Sequence, residues 1–341
     1  MTDLLIAGDG RPRTLDTWRG RAEVRRLERE LDQLVRECGA PVTTGAAWVS
    51  SRIDHTTGVP WAVGVRDPDG ALSAIAVLLD LPGDEDGAPA VTVLASGGDG
   101  HRACLPARDE GAARALAVAL AGPLRRRRVA LGPLSPDAAT QALIDALGPD
   151  VAVTAADPIP SIVKVHGSGI AAYLSTGCQR TLRKSRNRLE ADGRAGILNV
   201  TTDPDVIEGW LPDLASAYRD RDRHHGLVSE LADTAGYLRW SDRVRRLART
   251  GGVEVSLLHI SDVLAAYLIG VIDGGTYRVV EGRFVSAWAR YSPGRLLESA
   301  VLQRVLDDDG LGALDWMTGV APQALLAANA TDEVVVLTVG S

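Results

Sequence analysis

The chain has 341 residues, 45% of them hydrophobic, enough for two domains with sizeable cores. Its formal charge of −7 excludes a general nucleic-acid coat protein, which needs net positive charge to displace counterions, but leaves local basic patches open. No apolar run approaches the ~18 residues of a membrane span, no export signal is evident, and Cys38, Cys104 and Cys178 lack ligand spacing; a cytoplasmic protein with free thiols, no membrane contact and no metal is expected.

Val24, Leu27, Leu31, Leu34 and Cys38 recur at three- and four-residue steps and are followed by Gly39, which predicts a long amphipathic helix. Trp61–Val65 and Leu72–Leu81 flank the turn sequence Asp67-Pro-Asp-Gly70 as an antiparallel hairpin, and Val91–Ala95 extends the sheet. A glycine cluster, Gly97–Gly100, leads to a helix near 110–120, a strand near 128–131 and a helix near 136–147. The Arg125–Arg128 run before that strand reads as solvated.

Asp157-Pro-Ile-Pro160 and Gly167-Ser-Gly169 punctuate a candidate strand over 161–165 and mark a joint, giving domains 1–165 and 166–341. A helix over 171–189 carries Arg180, Arg183, Lys184, Arg186 and Arg188, with 180, 183 and 184 on one face; this is either a solvated surface or one that meets phosphate. The next helix holds Trp210, Leu214 and Tyr218 and runs into Asp220-Arg-Asp-Arg-His-His-Gly226. There Asp222 and His225 are candidates for holding substrate or relaying a proton, against a plainer role as helix-end caps and surface pairs. Two adjacent histidines without a third ligand make no metal site.

Strands at 253–260, 263–272 and 276–282 precede a loop, a helix over 295–308, a strand at 312–317 and a last strand near 333–339. This repeats the order of the first half and predicts an internal duplication of fold. In the loop, Arg290-Tyr-Ser-Pro-Gly-Arg295, Pro293 and Gly294 set a tight turn with little bulk, so the amides that open the next helix can face an anion. Arg290 and Arg295 bracket the turn, where a guanidinium can clamp a pyrophosphate. Asp315 ends a predicted interior strand and is either an acceptor-binding group or a strand-end cap.

The phrase ARYSPGRLLESAVLQRVLDDDGLGALDWMTG resembles the CelD-like branch of the GNAT acyltransferases, in which Tyr-Ser-Pro-Gly replaces the usual Gln/Arg-x-x-Gly-x-Gly/Ala. The run CQRTLRKSRNRLEADG, Cys178–Gly193, is similar to the Arg-rich helix such proteins carry before their second half. Tandem halves with this joint also resemble the Fem-type aminoacyl-tRNA-dependent transferases. The resemblance implies an α/β (α+β) fold of two tandem GNAT-like domains, each a mixed, mostly antiparallel central sheet flanked by helices, the first a degenerate copy.

It also implies transfer of an acyl group from acyl-CoA to a small-molecule amine in an interdomain cleft. Arg290, Ser292, Gly294 and Arg295 would bind the donor, and Arg183 and Lys184 its 3′-phosphate. Charged tRNA is the alternative donor, and a non-catalytic ligand sensor the second alternative. In a GNAT reaction the amine attacks the carbonyl directly. Glu281 is then the candidate base, a backbone amide where two parallel strands splay polarises the carbonyl, and Tyr291 protonates the leaving group or packs its ring. One departure stands out: relatives carry Tyr-Lys shortly after the glycine corresponding to Gly319, whereas this chain reads VAPQALLAANA and has no lysine after Lys184.

Overall fold

The computed structural model describes residues 3–6, 12–83, 90–96, 101–317 and 328–340. They form two compact units, Met1–Pro158 with Asp332–Ser341, and Ile159–Thr331. In the first, strands β1 (Asp3–Ile6) and β2 (Pro12–Arg19) lead into helices α1 (Arg21–Arg25), α2 (Glu28–Cys38) and α3 (Ala46–Asp54). There follow β3 (Val59–Arg66), β4 (Leu72–Leu81), β5 (Val91–Leu94), α4 (Glu110–Arg125), β6 (Arg128–Leu134), α5 (Ala138–Leu147) and β7 (Val151–Ala155).

The second unit opens with β8 (Ile159–Val163), α6 (Thr176–Ala191), β9 (Gly196–Thr201), α7 (Pro204–His224) and α8 (Thr234–Thr250). Strands β10 (Val253–Ile260), β11 (Val263–Asp273) and β12 (Thr276–Phe284) come next, then a 3-10 segment over Ser286–Tyr291. The unit closes with α9 (Pro293–Asp307), β13 (Ala313–Asp315) and β14 (Ala330–Asp332), after which β15 (Val335–Val339) returns to the first unit.

The two sheets run β1-β2-β3-β4-β5-β6-β15-β7 and β14-β8-β13-β12-β11-β10-β9. Each holds a parallel pair, β5 with β6 and β12 with β13, whose outer neighbours are antiparallel. Helices α4 and α9 are the connections between those parallel partners. The dividing line differs from the 1–165 and 166–341 split drawn on the sequence. Ile162 of β8 pairs with Leu314 of β13, while Thr338 of β15 pairs with Ala130 of β6 and Ala152 of β7. Each sheet therefore takes the strand beside its parallel pair from across the sequence joint.

In the second unit, α9 and α6 cover one face of the sheet, burying Leu182, Leu268, Tyr277, Leu297, Val301 and Leu314 together. Side chains alternate along a strand, so Tyr267 beside Leu268 belongs to the other face. There α7 and α8 bring in Leu211, Leu214, Trp240 and Val244, all buried. The amphipathic run over 24–38 is broken between Arg25 and Glu28, yet Val24, Leu27, Leu31 and Leu34 all enter one core against Ile75 and Val77 of β4.

Candidate functional site

The site begins where two strands part. β12 and β13 pair in parallel over only three positions, Thr276 with Ala313, Tyr277 with Leu314 and Arg278 with Asp315. Asp315, 3% exposed, closes the pair. It accepts hydrogen bonds from Arg278 Nη1 at 2.7 Å and from the Met317 amide at 2.8 Å, which is the geometry of a strand-end cap. Beyond Arg278, the β12 amides on this side have no paired strand among the described residues.

A bulge follows in β12. Ile269 faces Glu281 while Gly270 faces Val279, so Val280 is an extra residue. Tyr277 and Val279 point into the α9 core, and uninterrupted alternation would send Glu281 there too. The extra residue turns Glu281 to the α7/α8 face instead. Buried there, its carboxylate accepts from the Tyr267 hydroxyl and from Trp240 Nε1 at 3.1 Å. Arg283 lies over the Tyr218 ring, 4.2 Å from its centre, and its buried Nε has no hydrogen-bond partner among the described residues. Burial, reinforced by the Glu281 charge, pushes the Tyr218 hydroxyl up to about 12 and Tyr267 well above its ordinary value. Burial works to lower Arg283, but Glu281 and the two tyrosines outweigh it and its pKa rises.

The loop is braced on both sides. Asp220 of α7 accepts from the Ser286 amide at 2.5 Å. Tyr291, 3% exposed, packs with Leu189, Ile260 and Ala265, and its hydroxyl donates to Asp192 at the end of α6. Arg290 pairs with the same carboxylate and lies over the Tyr291 ring, while Arg188 Nη1 donates to the Arg290 carbonyl at 2.7 Å. Arg290 and Tyr291 thus fasten the loop to α6 and do not line the cavity beside it.

Ser292 adopts a left-handed conformation, φ 49° and ψ 53°, which lets Pro293 start α9. Its side chain caps nothing. The first helical bond runs from the Leu296 amide to the Ser292 carbonyl, so the helix leaves the Gly294 and Arg295 amides without intrahelical partners. They border a cavity of about 270 Å3 walled by Ser292–Arg295, Phe284, Ala289 and Glu298. Three candidates from the sequence, Ser292, Gly294 and Arg295, meet here. Glu298 was not among them; its one signal is a spacing of three from Arg295 on a helix. Burial pushes the Glu298 carboxyl up to about 7, against the opposing pull of Arg295. Burial likewise raises the Cys178 thiol, again opposed by Arg295.

Residues 177–322 match the family of the Acetyltransferase (GNAT) domain, which supports an acyl-transfer function. The chain has a GNAT-superfamily fold in the Fem-like tandem arrangement. FemX superposes with a TM-score of 0.63 at 10% identity, covering 92% of this chain and 96% of its own. A tandem GNAT protein from the clavulanic acid biosynthesis pathway gives 0.50 at 15%, covering 96% and 99%. L-PGS from Bacillus licheniformis gives 0.51 at 11%, covering 91% of each. At such identities the likeness is one of fold. No curated protein sequence matches the chain. Among the described residues no helix is long and apolar enough to cross a membrane.

In this GNAT fold, α6 lies beside the loop. It buries Cys178, Leu182, Ser185 and Leu189 and turns Arg180, Arg183, Lys184 and Arg186 to solvent. None of these four cations has an acidic partner among the described residues. At the end of α7, Asp222 is 5% exposed with Arg221 Nη1 at 3.5 Å. His225 is exposed and stands edge-on to Phe284, ring centres 6.2 Å apart, behind the wall of the loop cavity. Gly97–Gly100 and the segment 318–327, which holds Gly319 and most of the stretch where relatives carry Tyr-Lys, lie outside the described residues.

Proposed function

We propose that the second unit transfers an acyl group from acyl-CoA to a small-molecule amine by direct attack. The observation that carries this reading is the uncapped N-terminus of α9, opening with Arg295 on a cavity beside strands that part. Free amides at a helix start, a partial positive charge and one guanidinium suit a pyrophosphate. A β12 amide past Arg278 polarises the carbonyl, because it faces the gap where β13 has ended. Glu281 takes the proton from the amine, directly or through water. Its place on the α7/α8 face, beside Tyr218, supports an acceptor on that side. Asp222 holds the acceptor's polar group and His225, beside Phe284, relays a proton on the same side.

A second reading uses charged tRNA as the donor. The four exposed cations on α6, which have no acidic partner among the described residues, favour it, since a nucleic acid end needs such a surface and a single 3′-phosphate needs only one or two of them. Calorimetry with CoA, acetyl-CoA, charged tRNA and uncharged tRNA at two salt concentrations separates the readings. Micromolar CoA binding supports acyl-CoA. Silence with CoA and salt-sensitive binding of charged tRNA supports the aminoacyl donor, and donor binding without turnover on any amine leaves a ligand sensor.

A further inference from the structure

The loop cavity carries a carboxylate where an anion is to bind. Glu298 sits in the second turn of α9 and lines the same cavity as Gly294 and Arg295. Among the described residues it makes no hydrogen bond and no close ion pair. Among the described residues the charged groups around it are few. Its own helix supplies Arg295, α6 supplies the Cys178 thiol, which Arg295 also reaches, and β12 and the 3-10 segment contribute only Phe284 and Ala289. An ionised Glu298 would face a donor phosphate across a small, partly apolar space.

We propose that donor binding at this cavity takes up one proton on Glu298, so that this residue sets the pH range over which the loop accepts its phosphate. The inference rests on reading the cavity as the donor's phosphate site. Before binding, Arg295 is the charge that favours the ionised carboxyl, and burial opposes it. A phosphate that engages Arg295 removes that counter-charge and adds a like charge, so both changes favour the protonated form. The protonated carboxyl then has an O–H to donate to a phosphate oxygen. The proton comes from solvent and returns there on release.

The sign follows. The complex binds more protons than the free protein, so affinity is full below the free carboxyl's value of about 7 and is lost as pH rises through it. Complete uptake means an affinity about tenfold weaker at about pH 8 than at about pH 6. The probe is dephospho-coenzyme A, whose pyrophosphate diester keeps a constant charge over this range, titrated calorimetrically in two buffers of different ionisation enthalpy. The tenfold fall with close to one proton taken up at the higher pH is expected, together with Glu298→Gln binding that is insensitive to pH. A flat profile without proton uptake by the parent overturns the proposal and leaves the loop as donor site. Absence of binding by parent and variant at either pH overturns the loop reading and the proposal with it. Proton uptake is read on the parent protein, so the proposal is decided even if Glu298→Gln does not fold.

Discussion

Glu281→Gln tests the bulge and the chemistry together. The carboxylate oxygens take the Tyr267 hydroxyl on Oε1 and the Trp240 indole at 3.3 and 3.1 Å on Oε1 and Oε2. An amide keeps one acceptor. With its oxygen toward Tyr267, its NH2 faces the Trp240 N–H, donor against donor, and Arg283 loses its nearby negative charge. A buried donor left unmet costs about 1–3 kcal/mol, and Arg283 loses the through-space attraction of the Glu281 charge. Together these give an expected loss of about 2–4 kcal/mol, within the ~5–15 kcal/mol of a typical domain. The variant should fold, and its rate can be measured. Loss of a general base lowers turnover by about 10²–10⁴-fold with donor affinity unchanged. Tyr267→Phe, which removes one hydrogen bond and keeps the carboxylate, should cost about 1 kcal/mol and leave turnover within a few-fold. Urea unfolding and a pH-rate profile read both effects. A Glu281→Gln enzyme with the parent's rate and profile refutes the base, and one with unchanged stability refutes the network.

Arg295→Glu should weaken donor binding by at least about tenfold, the loss of one charge-assisted contact; unaltered affinity in the folded variant removes the loop from the site. Reversing Arg183 and Lys184 to Glu should flatten the salt dependence of tRNA binding by about 1.5 in log–log slope if α6 meets nucleic acid, and an unchanged slope places the tRNA elsewhere. Gly270→Ala should destabilise the second unit by about 2–3 kcal/mol or more, because a Cβ there would lie 2.2 Å from Cζ of the buried Tyr277 ring. A shift below about 0.5 kcal/mol in chemical unfolding would show that the ring has room to move.

Legibility in the sequence tracked how strongly each element alternates or buries. The three strands β10, β11 and β12 and the helix after them are evident because their apolar positions are dense and their turns carry Gly or Asp. β9 is not, since its residues are exposed along nearly its whole length and no period marks it. The arginine-rich α8 hides its buried stripe, Trp240, Val244, Leu247 and Ala248, among surface charges. β15 reads as a strand, but its partners β6 and β7 lie far back in the chain, and no local pattern states a pairing at that range. Within the site, Arg290 and Arg295 look equivalent around a Pro-Gly turn. The 3-10 segment separates them, sending Arg290 back to Asp192 and leaving Arg295 at the cavity. The bulge at Val280 has no signature in Val-Val-Glu-Gly-Arg, yet it decides which face receives Glu281.

The duplication supplies its own control for the donor site. α4 and α9 hold the same place in their sheets, each joining the two strands of the parallel pair. α4 begins with Asp109, whose side chain accepts from the Ala112 amide at 2.8 Å and pairs with Arg13 Nη2 at 2.9 Å. Arg13 is fully buried and also reaches Asp67. The first turn of α4 therefore carries its own carboxylate, and that carboxylate its own guanidinium. A ligand phosphate entering there must first displace a carboxylate that already caps the helix and pairs with a buried guanidinium. α9 begins with Ser292, whose left-handed backbone and idle side chain leave the Gly294 and Arg295 amides open on a cavity. One copy of the fold has filled its anion position from within, so a diffusible anion is expected at the other, where among the described residues lining the cavity the Glu298 carboxyl is the one acidic group.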